Sequence, residues 1–131
     1  MALELIQPDG LHTPRSYTHV AVAAASRLVF IAGQAADDAA GNLVGRGDVR
    51  AQAHQAFANL GRALTAAGAR TDQVARITIY VVGHRPEHLS LISEARMALF
   101  GDYKPVDTYL GVETLAEPGY LIEVEAIAVL D

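Results

Sequence analysis

The run LIEVEAIAVL at residues 121–130 carries the two residues best suited to chemistry, Glu123 and Glu125. Its apolar density is that of a strand buried on both faces. Side chains alternate across a strand, so both carboxylates project from one face. A buried carboxylate costs several kcal/mol unless it finds partners. Two readings fit the pair: salt bridging at a subunit interface or wet edge, or a cleft in which a carboxylate holds a water or takes a proton.

Further candidates lie near the N-terminus and just upstream of the last strand. Tyr17 and His19 share a strand face, which would set a phenol beside an imidazole, although a structural hydrogen bond for His19 fits equally well. Arg15 is either a ligand-binding cation or a solvated surface arginine. Asp107 follows Pro105 and could receive a cation, act as a general base or cap a turn. Close to Glu123 it would make an acidic pair with one pKa raised toward neutrality, supplying both an acid and a base. His84, His88 and Ser93 show no nucleophile–base arrangement and read as surface residues. The five histidines lack metal-ligand spacing, so no metal and no cofactor is expected.

Composition narrows the classes. The 131 residues suit one domain, 51 % apolar and 19 % charged, an ordinary globular balance. A net charge of -5 with a single lysine, Lys104, argues against nucleic acid as a partner. Without cysteine there are no disulfides and no thiolate chemistry. No apolar stretch reaches the ~20 residues that span a membrane, and no secretory signal opens the chain, so a cytoplasmic location without membrane contact is expected.

The elements that must position these residues follow from periodicity. Residues 1–14 read as an arm over the surface. Residues 17–24 and 28–32 read as two strands of a hairpin, and 37–47 as a glycine-bearing loop rather than a phosphate cradle. Asp48 looks like an N-cap for an amphipathic helix that stops at Gly68. Residues 74–82 form a third strand, with Ile77, Ile79 and Val81 opposite Thr78, Tyr80 and Val82. A second helix starts near Pro86 and closes at Gly101. Residues 108–112 make a short strand before the last one. The order is β-β-α-β-α-β-β, an α+β class with one mixed sheet and two helices on one face. The other face is too apolar for water, which predicts oligomerisation.

In this order the markers resemble the Rid family of reactive-intermediate deaminases, formerly YjgF-like, over residues 16–129. They are Tyr17, then Ala32-Gly33-Gln34, the Gln52-to-Leu64 helix with Ala66-Ala67-Gly68, the 74–82 strand, Pro105, and above all Ile122-Glu123-Val124-Glu125-Ala126-Ile127-Ala128. The resemblance implies a chorismate-mutase-like Rid fold assembled as a trimeric barrel, with small-molecule clefts between subunits. It implies hydrolysis of imines or enamines, with Tyr17 lining the cleft and Glu123 positioning the water. Gly33 and Gln34 then join Asp107 and Arg15 as substrate-binding positions. The family's carboxylate-binding arginine, two residues after the proline, is Asp107 here. An anion in place of a bidentate cation repels that carboxylate, which argues against archetypal 2-iminoacid deaminase activity. Arg15, just before Tyr17, is the candidate to replace the missing cation. The alternative function is a trimer that binds a small metabolite without turning it over.

Overall fold

The computed structural model describes residues 2–131. Strands β1 (Leu3–Ile6) and β2 (Val20–Ala23) are followed by β3 (Arg27–Gln34) and helix α1 (Val49–Ala66). Strand β4 (Val74–Val82), helix α2 (His88–Phe100), β5 (Val106–Val112) and β6 (Ile122–Leu130) complete the order. The main sheet runs β3-β6-β4-β5, with β4 and β5 parallel and the other pairs antiparallel. Parallel pairing requires a crossover, and α2 is that crossover.

The helix boundaries obey the expected local chemistry. The Asp48 carboxylate accepts from the Ala51 amide at 3.0 Å and caps α1. Gly68 and Gly101, at φ 74° and 60°, take the left-handed backbone that ends each helix. Phe57, Leu60 and Leu64 of α1 and Ile92 of α2 pack on Ile77, Ile79 and Val81 of β4 and Ile122 and Val124 of β6, all buried.

Two expectations are corrected. Strand β2 does not form a hairpin with β3. It pairs with β1 in a separate two-stranded sheet, while β3 pairs with the distant β6. The arm therefore contains a strand, and the short turn at Ser26 separates sheets rather than joining neighbours. Second, β6 is not buried on both faces within one chain. Ile122, Val124, Ala126 and Ala128 are buried against the helices, whereas Glu123, Glu125 and Ile127 on the bare face are half-buried. That face carries Phe30, 72 % exposed and paired in register with Ile127, so a large apolar surface lies open in the single chain. Among the described residues no helix is long and apolar enough to cross a membrane.

Candidate functional site

Glu123 and Glu125 share the bare sheet face, as alternation requires, but they are differently engaged. The Tyr80 hydroxyl donates to Glu125 Oε1 at 2.5 Å. That bond, ahead of burial and the nearby Glu125 and Glu123 charges, raises the Tyr80 phenol above its ordinary pKa. The partner of Glu125 is thus a phenol on its own sheet. Glu123 has no such tie: among the described residues no side chain or amide donates to its carboxylate.

Glu123 lies instead against backbone. Its carboxylate lies over Gly33, where a β-carbon would overlap Oε2 and the two carbons behind it. The close approach arises at an irregularity in the β3–β6 ladder between Ile31 and Gln34. A bulge of this kind re-aims side chains, and glycine is the residue that lets one lie across the backbone. Beside it, the Tyr120 hydroxyl donates to Asp37. This bond first, then burial and neighbouring carboxylates that include Glu123, pushes the Tyr120 phenol up to about 12. Sequence reading missed Tyr120 and Asp37, because a tyrosine after a Pro-Gly turn and an aspartate in a loop carry no pattern. Gln34 turns to its own Ala32 carbonyl at 3.0 Å and borders a hollow of about 540 Å³ with Asp37, Gln55 and Asn59.

Tyr17 lies at the far end of the sheet. Thr18 bridges to Val106 and its amide donates to the Pro105 carbonyl at 3.2 Å, which ties the arm to the outer edge of β5. The Tyr17 hydroxyl is 3.0 Å from His12 Nε2, and His19 Nε2 is 2.9 Å from the His12 carbonyl. The Tyr17 and His19 rings are neighbours, with centroids 5.2 Å apart. His12 was not singled out from sequence, since only folding of the arm brings it to Tyr17. From β6 through β4 and β5 to Thr18 are three strand spacings, roughly 14 Å. One chain alone therefore does not bring Tyr17 and Glu123 together.

Asp107 and Arg15 are also remote from Glu123 in the single chain. In the parallel register Asp107 stands beside Ile77 and Tyr109 beside Ile79, so both face the helices. Asp107 and Glu123 occupy opposite faces of the sheet, and no acidic pair forms within a chain. Burial pushes the Asp107 carboxyl up to about 6, against the opposing pull of Arg96 and Arg76. Arg15 lies with Ser16, Arg96 and Lys104 along a groove between the arm and α2. On the bare face the cation is Arg76, whose Nη2 donates to Thr108 Oγ1 at 2.7 Å.

Among the described residues no group of three or more His, Asp and Glu could hold a metal ion. A hollow of about 660 Å³ beside α1 is lined mainly by small and apolar residues, and its Arg70 is already paired with Asp72. It offers no reactive group.

With this geometry in place, comparison with known proteins is decisive about kinship. The family model described as endoribonuclease L-PSP matches residues 9–130. A RutC family protein of Pyrococcus horikoshii is 32 % identical over 104 residues, covering 79 % of this chain and 80 % of the relative. The crystal structure of YyfB from Yersinia pestis, a Rid-family protein of unknown function, is similar with a TM-score of 0.93 and 37 % identity, over 99 % of this chain and 100 % of that one. Rv2704 of Mycobacterium tuberculosis, from the YjgF/YER057c/UK114 family, gives 0.65 and 26 %, over 98 % and 99 %. The chain belongs to the Rid family, also called YjgF and endoribonuclease L-PSP.

Proposed function

We propose that this Rid-family protein is a homotrimer with small-molecule clefts between subunits, in which Glu123 positions a water that hydrolyses an imine or enamine C–N bond. The observation that carries the reading is the contrast between the two carboxylates: Glu125 is engaged by Tyr80, while Glu123 is held over Gly33 with its oxygens free. The separation of Tyr17 from Glu123 supports a cleft completed by a second copy, as does the apolar bare face around Phe30.

In the proposed reaction the water oxygen attacks the imine carbon while Glu123 accepts its proton. The imine nitrogen takes up a proton, for which Tyr17, paired with His12, is the candidate source. Glu123 then passes the proton it took to the nitrogen of the resulting carbinolamine, and the carbinolamine hydroxyl returns its proton to the Tyr17 phenolate. The C–N bond breaks with its electron pair going to nitrogen, so that ammonia leaves and a carbonyl compound remains. Gly33 and Gln34 border the Glu123 side, and Arg15 and Asp107 border the Tyr17 side. The anionic Asp107 favours substrates without a carboxylate at that position. The test is ammonia release from neutral imines generated in situ, comparing the native protein with Glu123→Gln. Equal rates would remove Glu123 from the chemistry.

Asp107 also favours a second reading, a trimer that holds a metabolite without converting it. Ligand-induced shifts in melting temperature without ammonia release would establish it. Ribonuclease activity, named in the family description, fits poorly with a net charge of -5 and with two glutamates against one arginine on the bare face.

A further inference from the structure

Arg96 of α2 is 5 % exposed, and among the described residues its Nη1 has no hydrogen-bond partner. Facing α2 from β5, Asp107 Oδ1 is likewise buried and without a partner among the described residues. Both residues line one inner cavity of about 50 Å³, room for a single small polar group. The Tyr109 phenol on its wall is bonded to His84 Nδ1 at 3.0 Å, the Ser16 and Ser93 hydroxyls add neutral polar groups, and Arg96 and Asp107 bring the buried charged donor and acceptor that lack partners. Ser16, Leu89, Ser93 and Arg96 also line the outer groove of about 560 Å³, so the cavity opens into a space of ligand size.

A donor and an acceptor of opposite charge that line one cavity without forming an ion pair select for charge as well as shape. A carboxylate would satisfy Arg96 but meet the Asp107 anion, and an amine would satisfy Asp107 but meet the guanidinium. A neutral group with an acceptor and a donor attached to one carbon satisfies both and brings no unpaired charge into the pocket. We propose that Arg96 and Asp107 form the head-group pocket of the cleft and that the head they take is a neutral amide: a carboxamide, lactam or urea. Its carbonyl oxygen accepts from Arg96 Nη1, and its N–H donates to Asp107 Oδ1. The exposed flanks of Leu89 and Met97, both on the groove, suit a short aliphatic continuation of the ligand. The inference rests on the reading of this region as one side of the small-molecule cleft, and it names the binding head rather than the bond that breaks.

The test is a set of NMR titrations of the isotope-labelled full chain with acetamide and urea, compared with acetate, methylammonium and inorganic phosphate. Acetamide should give saturable shifts at the Ser16, Ser93 and Asp107 amides and at the Arg96 Nε–H. Its affinity should exceed that of acetate, its charged near-isostere, by at least about tenfold, the scale of one charge-assisted hydrogen bond. Acetate or phosphate binding as tightly as acetamide at these residues would overturn the proposal. In Arg96→Met/Asp107→Leu the pair becomes apolar without stranding a charge, an exchange that buried ion pairs commonly tolerate. Acetamide binding should be lost there, and retention at native strength would also overturn the proposal. The native ranking of ligands decides the matter even where that variant does not fold. Because binding is read without turnover, failure to release ammonia leaves this inference standing, and failure of acetamide to bind leaves hydrolysis by Glu123 to its own assay.

Discussion

Glu123 and Gly33 are in such close register that the carboxylate of one occupies the space where a β-carbon of the other would stand. Gly33→Ala must therefore displace the carboxylate. The overlapping atoms are the far end of a flexible side chain, so the cost in stability should stay at or below the ~1–3 kcal/mol of an overpacked site. Turnover should suffer more, by roughly 10²-fold, as expected for a reacting group moved by about an ångström. Melting temperature and kcat measured on the same preparation separate the two effects.

Glu123→Gln and Glu125→Gln should diverge. The first removes the free carboxylate and should lower turnover by roughly 10²–10⁴-fold with little change in melting temperature. The second weakens the hydrogen bond from Tyr80, and Tyr80→Phe removes it. Each should cost about 0.5–1.5 kcal/mol, read in denaturant titrations, while turnover stays near native. Equal losses of turnover from both glutamate variants would mean the roles are wrongly divided.

Asp107 makes a prediction about pH. Its carboxyl, with an ordinary value of 3.8, is raised to about 6 in the folded chain, mainly by burial. The folded state thus holds this proton more tightly than the unfolded state. The contribution to stability is fully present below pH ~4 and is lost as pH rises through ~6, with an upper bound of about 3 kcal/mol. Subtracting the stability profile of Asp107→Asn from that of the native protein should isolate this fall. A flat difference between pH ~4 and ~7 would contradict the burial of Asp107.

Position 107 should also control ligand charge. Arg96→Met/Asp107→Arg places the family's cation on β5 and removes its buried like-charge neighbour. Acetate should then bind at least about tenfold more tightly than to the native protein, and acetamide more weakly. Calorimetric titration of the two ligands checks the reversal.

Much of the frame was legible in the chain because it depends on local chemistry. The Asp48 cap, the Gly68 and Gly101 stops and the alternation of Ile77, Ile79 and Val81 act within a few residues of themselves. The partner of β2 was not legible, since proximity in sequence favours β3 while the real partner, β1, is only Leu3–Ile6. Glu123 and Glu125 were correctly placed on one face by periodicity, yet only the folded sheet reveals that Tyr80 engages one of them. Arg96 escaped notice for the same reason. On α2 it is one more basic helix residue, and its relation to Asp107 exists only after the crossover lays α2 against β5.

The central claim is that each cleft draws Glu123 from one chain and Tyr17 from another, and subunit complementation tests it most directly. Glu123→Gln and Tyr17→Phe are each assembled alone, then unfolded, mixed in equal amounts and refolded together, with trimer formation confirmed by light scattering. Random assembly of shared sites restores about a quarter of the clefts to the native pair of residues. The mixture should therefore release ammonia from a neutral imine far faster than either parent variant, at about a quarter of the native rate. A mixture no faster than the average of its parents would place both residues in one chain's site and contradict the account.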